Sequence, residues 1–473
     1  MKVKLTIFLT LISMPFVAQL WLPLDEGVSC DEQSMLSTAI TDMYYDDSLN
    51  RIDVIGYFRY NNECEENRGL AYWDELGWHN YPSSCILPPH SMVEFQGEKY
   101  VCGGIVCEEM TEDYYNLYKL QENNWSNLGV FPQLSGTSRL KIINSRFLIG
   151  TRLDPDENDE VPLLLEYFPA TDNYNVIAKK TSFSLNRMTE ILEFNDTIFI
   201  CGKFHSNMSG KPGNLLSNLA KIADGTISKI AQGMNSNSNA YGMCVHRDTL
   251  FIGGIFGSEN FPGFTTEQYV FLIYYHNGEL KPYPIQANGY VTTLLSNNDI
   301  LYVGGWFTQL GEVQCNGIGA LINSEIVSLN SAQMTIAPDI PPTVAYMESV
   351  NKLLVIDDHL YMAGRFEYIG EDGPYGNIAK LSTPLSEFSK VIEDKLDWKM
   401  KLYPNPAAEY FTLEIPFGVK GILQIFNNLG QLVHQENISQ VKTNISISNL
   451  NSGAYHCVFK TPYNTISERI IIQ

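Results

Sequence analysis

Asp248-Thr-Leu-Phe-Ile-Gly-Gly-Ile-Phe256 decides the fold, because the same phrase returns along the chain. It stands as Asp196-Thr-Ile-Phe-Ile-Cys-Gly-Lys-Phe204, Asp299-Ile-Leu-Tyr-Val-Gly-Gly-Trp-Phe307 and Asp358-His-Leu-Tyr-Met-Ala-Gly-Arg-Phe366. Looser copies are Asn50 to Phe58, Glu98 to Val106 and Asn144 to Gly150. The shared glycines are Gly56, Gly104, Gly150, Gly202, Gly254, Gly305 and Gly364, separated by 48, 46, 52, 52, 51 and 59 residues. Seven strand-like units with a period near 50 form the pattern of a β-propeller with one four-stranded blade per repeat.

Each part of the phrase has a physical job. The leading Asp or Asn suits a tight turn, since its side chain can bond the backbone two residues on. The apolar run after it predicts a strand buried on both faces. The glycine predicts a close backbone approach or a bulge, and the Phe two residues later packs between blades. A second strand follows, as in Asn116-Leu-Tyr-Lys-Leu120 and Asn377-Ile-Ala-Lys-Leu381, then a Trp-bearing outer strand, as in Trp78-His-Asn-Tyr81 and Trp125-Ser-Asn-Leu128. The seventh unit has no clear outer strand, while Trp21-Leu-Pro-Leu24 precedes the first. The N-terminal strand is therefore expected to complete the last blade and remove the exposed edge.

In period and in the pairs Gly103-Gly104, Gly253-Gly254 and Gly304-Gly305, the units resemble kelch-like or galactose-oxidase-like propellers. They lack the regular Tyr and Trp positions of a strict kelch repeat, so no kelch function is carried over. The last segment carries Leu402-Tyr-Pro-Asn-Pro-Ala407, Leu423 to Gly430, Ile447 to Leu450, Gly453-Ala-Tyr455 and a final Ile470-Ile-Ile-Gln473. It resembles the C-terminal sorting domain of proteins exported by the bacterial type IX secretion system of Bacteroidota. The residues carrying the resemblance are Tyr403, Pro404, Asn405, Pro406, Gly453 and Tyr455. It implies a small Ig-like β-sandwich, recognition by the outer-membrane translocon and sorting machinery, and release or attachment at the surface.

The front end is consistent with export. Lys2 and Lys4 precede an apolar stretch, and Ala18 offers a cleavage point, so residues 1–18 read as a signal peptide. No later segment is apolar and long enough for a transmembrane anchor. The expected organisation is signal peptide 1–18, seven-bladed propeller 20–386, linker 387–401 and sorting domain 402–473. The fold class is all-β, and the destination is the surface or the medium by way of the periplasm.

Acidic residues outnumber basic ones 53 to 31, for a formal charge of −22. A nucleic acid or an anionic membrane is repelled by most of such a surface. Nine cysteines form no metal-ligand spacing. Cys64 with Cys85 and Cys102 with Cys107 are near enough in sequence for disulfides, while Cys102 and Cys201 fall inside strand-like runs that favour buried thiols.

Motifs for catalysis are absent: there is no Gly-x-Ser-x-Gly elbow, His-Glu-x-x-His helix or phosphate-binding loop. The loops after each Gly-x-Phe corner should gather on one rim of a propeller. They hold eighteen acidic residues against Lys211 as the one base. Glu65, Glu108 and Asp156, with Tyr114, Tyr115, Phe264, Tyr368 and Tyr375, form a candidate ligand face for sugars, cationic peptides or calcium. A solvated rim that keeps the protein soluble is the alternative. Asp154, Asp156, Asn158 and Glu160 space oxygens as calcium loops do, without the glycine an EF-hand loop needs. Three functions stay open: a module binding a glycan or protein partner, an extracellular enzyme degrading polysaccharide or glycoprotein, and a structural surface-layer component.

Overall fold

The phrase Asp-apolar-Gly-x-Phe folds as the hairpin partner of an inner strand. A computed structural model describes residues 21–25, 27–28, 38–59, 68–81, 89–103, 116–121, 124–128, 137–151, 162–179, 183–206, 217–230, 238–257, 261, 269–322, 325–330, 334–335, 348–370, 372–387, 400–415, 421–438, 440–460 and 465–473. Among these, seven antiparallel four-stranded sheets follow one another between Trp21 and Leu381. The first sheet is Ala39–Asp46, Arg51–Arg59, Arg68–Asp74 and Gly77–Asn80, in that spatial order. The innermost strands of the second to seventh are Pro89–Phe95, Thr137–Ile143, Phe183–Phe194, Asn239–His246, Tyr290–Asn297 and Ser349–Ile356. Each inner strand packs against the next, and the seventh packs against the first, so the chain of contacts closes on itself.

Local chemistry explains the hairpins. Asn195 and Asp196 form a two-residue turn between Phe194 and Thr197, and both have positive φ. Arg247-Asp248, Asn298-Asp299 and Asp357-Asp358 do the same. Two positive φ values define the type I′ turn that matches strand twist, and Asn and Asp tolerate that region best. The leading Asp is thus selected for its backbone conformation, a correction to the side-chain bond expected of it.

A β-bulge interrupts each of the seven inner strands just beyond the residue paired with the glycine region, at Thr41, His90, Ser138, Thr189, Tyr241, Thr292 and Asn351. Opposite it the repeat glycine brings two backbones together. A Cβ on Gly56, Gly254, Gly305 or Gly364 would lie 2.1, 2.2, 2.0 or 1.9 Å from the carbonyl oxygen of Ala39, Asn239, Tyr290 or Ser349. Backbone oxygens paired in a ladder cannot retreat. Gly305→Ala is therefore expected to cost about 1–3 kcal/mol or more, read as a lower urea midpoint at unchanged slope.

The bulge side chains then join neighbouring sheets. The Thr189 hydroxyl donates to the Ala240 carbonyl at 3.1 Å, Thr292 to the Val350 carbonyl at 2.5 Å, and Asn351 Nδ2 to the Ile40 carbonyl at 2.9 Å. The Met188 amide donates to Ser138 Oγ at 3.3 Å. Between the fifth and sixth sheets Gly242 fills the role by being small, since a Cβ there would meet Thr292 O at 2.9 Å. A buried ionic cluster links the first two sheets, with Lys99 Nζ 2.6 Å from Asp46 and 2.5 Å from Asp53, whose other oxygen accepts from the Tyr81 hydroxyl.

The seventh sheet takes its fourth strand from the start of the chain. Trp21–Pro23 pairs antiparallel with Ile378–Leu381, Trp21 opposite Leu381. Trp21 is buried and donates its indole N–H to the Leu329 carbonyl at 3.0 Å. Trp78 and Trp125 are buried on outermost strands, and Phe58, Phe256, Phe307 and Phe366 are buried at the corners.

From Lys401 onward the chain forms two smaller antiparallel sheets, one of three strands and one of four. Phe411, Leu413, Ile425, Cys457, Phe459 and Ile470 are wholly buried between more exposed neighbours, the period-two pattern of half-buried strands. No helix among the described residues is long and apolar enough to cross a membrane.

Candidate functional site

The bulges place a polar ring at the centre of the molecule. A cavity of about 860 Å³ is lined by residues from all seven inner strands, among them Thr41, Asp42, His90, Arg139, Lys141, Glu190, Tyr241, Thr292, Asn351 and Lys352. Asp42, Arg139, Glu190 and Lys352 each follow a bulge residue, so they share one level of the ring.

These charges form a relay. Lys352 Nζ lies 2.7 Å from Asp42 Oδ1, and Arg139 Nη1 lies 2.7 Å from Asp42 Oδ2. Arg139 Nη2 is 3.2 Å from Glu190 Oε2, and Lys141 Nζ is 2.7 Å from Glu190 Oε1. Each carboxylate is held between two cations. Burial alone would raise their pKa values, yet the surrounding cations outweigh it. Asp42 is held well below the usual carboxylate range, and Glu190 is lowered from 4.5 to about 2. The Arg139 guanidinium is held charged more firmly than usual, because the two carboxylates offset its desolvation.

None of these five residues stood out in the sequence. The readable sign was a charged residue inside an apolar inner strand: Glu190 and Lys352 stand twelve residues before Gly202 and Gly364.

The expected rim is only partly described. Glu65, Glu108, Tyr114, Tyr115, Phe264 and the calcium set Asp154, Asp156, Asn158 and Glu160 lie outside the described residues, as do Cys64, Cys85, Cys107 and the 1–18 leader. Tyr368 is half-buried in a short strand. Tyr375 is buried, and its hydroxyl donates to the Trp21 carbonyl at 3.0 Å. It seals the ring closure instead of offering ligand surface, a correction with a plain cause: the N-terminal strand covers it. Cys201 is a buried thiol, pushed up to about 12 by desolvation, and Cys102 is buried in its strand. Among the described residues no cluster of His, Cys, Asp and Glu could hold a metal ion.

One titratable group sits at the closure seam. Glu367 is buried there, and Asn377 Nδ2 reaches it at 3.3 Å while also reaching the Val28 carbonyl at 3.1 Å. Burial pushes its carboxyl up to about 7, and bonds from Gly376 and Asn377 offset only part of this. A raised acid favours folding while protonated. Its contribution is full below the ordinary value of 4.5 and is lost as pH rises through about 7. Glu367→Gln, which stays neutral, is expected to lose less stability than the wild type between pH 5 and pH 8, compared as urea midpoints.

In the C-terminal unit Asn405 ties both ends together. Its Nδ2 donates to the Arg469 carbonyl at 2.9 Å, and its Oδ1 accepts from the Ile471 amide at 3.0 Å. Ala407 continues the contact as a parallel bridge to Ile472. Tyr403 donates to Glu414 at 2.6 Å, Tyr455 is buried with its hydroxyl on the Asn451 carbonyl at 2.8 Å, and Gly453 pairs with Ile472. The Tyr-Pro-Asn-Pro motif and the terminal strand thus form one structural unit.

Residues 401–473 match the family model described as a secretion system C-terminal sorting domain. The chain is exported, to the cell surface or into the medium. No curated protein matches it. Among solved structures it is similar to PorZ, an essential bacterial surface component of the type IX secretion system of Porphyromonas gingivalis. The identity is 12% and the TM-score 0.40, over 92% of this chain and 59% of that one. The chain therefore spans about three-fifths of PorZ. It is also similar to YjhT, at 11% identity and TM-score 0.34, over 61% of this chain and 97% of that one. A third similarity is to GH43B of the Bacteroides ovatus xyloglucan locus, at 11% identity and TM-score 0.29, over 92% of this chain and 90% of that one.

Proposed function

We propose that this chain is an exported, non-catalytic binding protein. In this reading residues 20–386 form a seven-bladed β-propeller, and an Ig-like sandwich after Lys401 carries the sorting signal. The propeller recognises a glycan or a protein partner through its central cavity and its acidic, aromatic rim, including Glu65, Glu108 and Asp156. The closed cycle of inner-strand contacts supports the propeller reading.

The observation that carries the binding reading is the state of the two carboxylates in the central relay. Hydrolysis of a glycosidic bond needs one carboxyl that holds a proton near neutral pH beside one that does not. Asp42 and Glu190 are both saturated by cations and both lowered, so neither can donate a proton there.

The test presents the full-length exported protein to an array of polysaccharides and glycoproteins, with released products assayed in the same wells. Binding without product is the expected result. Product release would assign an enzyme instead, and silence on both would favour a structural role at the surface.

A further inference from the structure

We propose that the central cavity binds a carboxylate-bearing sugar, with Lys141 and Lys352 meeting the carboxylate and the Tyr241 ring meeting the sugar face. This rests on the binding reading above and names its ligand class.

The relay runs Lys352, Asp42, Arg139, Glu190, Lys141, with charge alternating along it and a cation at each end. Three cations face two carboxylates, and the surplus positive charge therefore sits on the terminal ammonium groups. The three inner side chains are only 11–12% exposed, whereas Lys352 and Lys141 are 23% and 35% exposed. Each lysine makes a single ion pair among the described residues, and an ammonium has three donors. Lys352 and Lys141 are the two ends of that relay, and both line the cavity. Arg139 Nε is buried there without a hydrogen-bond partner, so the cluster has donor capacity left over.

Four other titratable groups line the cavity: His90, Glu193, Tyr241 and the buried thiol Cys244. His90 belongs to the second inner strand, and Glu193 stands at the far end of the fourth, accepting from Asn144 at 3.3 Å in an exposed setting. The net charge of −22 repels anions at long range. Salt screens that field beyond about 8–10 Å, so inside the cavity the nearby lysines dominate.

The sugar assignment comes from the aromatic side. Tyr241 occupies the fifth bulge and lines the cavity. Its ring lies 6.3 Å from Tyr290, which lies 5.2 Å from Trp306, so the Tyr241 ring at the cavity wall belongs to a row of three aromatic side chains. Ring faces suit the apolar face of a sugar, and a cavity of this volume falls within the range of small-ligand sites.

Calorimetry on the full-length protein would compare the galacturonate disaccharide with the neutral galactose disaccharide, followed by chromatography of the mixture. The acidic sugar is expected to bind and the neutral one not to, with binding weakening from about 50 mM to about 500 mM NaCl. Lys141→Gln with Lys352→Gln is expected to weaken binding by about tenfold or more. The salt series on the wild type serves the same purpose should the double variant fold poorly. Equal binding of both sugars, or of the neutral one alone, would overturn the ligand class and leave the binding reading standing. No binding of either would overturn this inference. Binding of the acidic sugar followed by cleavage would support the ligand class while replacing the binder with an enzyme.

Discussion

Arg139→Met is expected to destabilise the protein by about 3–5 kcal/mol, the usual cost of breaking a buried ion pair from one side. Arg139 is the middle of the relay and the contact shared by both carboxylates. Its removal leaves Asp42 with Lys352 and Glu190 with Lys141 in a desolvated setting. The pH profile provides a second readout. A carboxylate whose folded pKa is depressed adds stability above its ordinary value, and that stability is lost as pH falls through the folded value. In the wild type this contribution starts to fall below the ordinary 3.8 and 4.5 and, for Glu190, persists to about 2. The variant raises both folded values toward the ordinary ones, so it is less stable than the wild type at pH 7 but should lose less stability between pH 7 and pH 4. Urea titrations at pH 7 and pH 4 measure both effects. A loss under about 1 kcal/mol with an unchanged acid profile would mean that the relay is not coupled to stability.

Trp21→Ala should cost a comparable amount, about 3–5 kcal/mol for a fully buried aromatic. Three losses coincide there. The indole leaves a cavity beside Leu329, the Leu329 carbonyl loses its donor, and the three-residue strand loses its main anchor. Neighbouring contacts depend on that strand, since Tyr375 donates to the Trp21 carbonyl and Trp78 donates to the Leu24 carbonyl at 2.7 Å. Fraying would expose Ile378–Leu381 as an unpaired edge, which invites association between chains. Hydrogen exchange should show lost protection at Ile378–Leu381 while Gly453–Lys460 stays protected. Unchanged protection at both, with a midpoint near that of the wild type, would show that ring closure does not need the indole.

The scaffold was legible because its requirements are local and repeated. Where an added Cβ would lie about 2 Å from a facing carbonyl oxygen only glycine fits, so Gly56, Gly254, Gly305 and Gly364 recur at the spacing of one sheet. A two-residue hairpin with two positive φ values favours Asn and Asp, so Asn195-Asp196, Asn298-Asp299 and Asp357-Asp358 precede their runs and Asp248 closes the turn before a fourth. Trp21 was legible as a closing strand because the seventh unit lacks an outer one.

The cavity was not legible for the opposite reason. Asp42, Arg139, Lys141, Glu190 and Lys352 belong to four different units, and no spacing along the chain predicts their contact. Seen singly, each is a charged residue in a strand whose sequence does not name its partner. Tyr375 was misread for a related reason: its loop position resembled a rim residue, and the covering strand arrives from more than 350 residues away.

By itself the sequence determined export, the all-β class, the repeating unit and the residues that build its turns and corners. Those depend on interactions within a unit, where neighbours along the chain are neighbours in space. Tertiary structure alone decided which charges meet at the centre and which aromatic groups are covered. Closing the ring brings side chains at one level of four different strands into ion pairs of 2.7–3.2 Å, and in a desolvated site each charge needs its partner because an unpaired one would be costly.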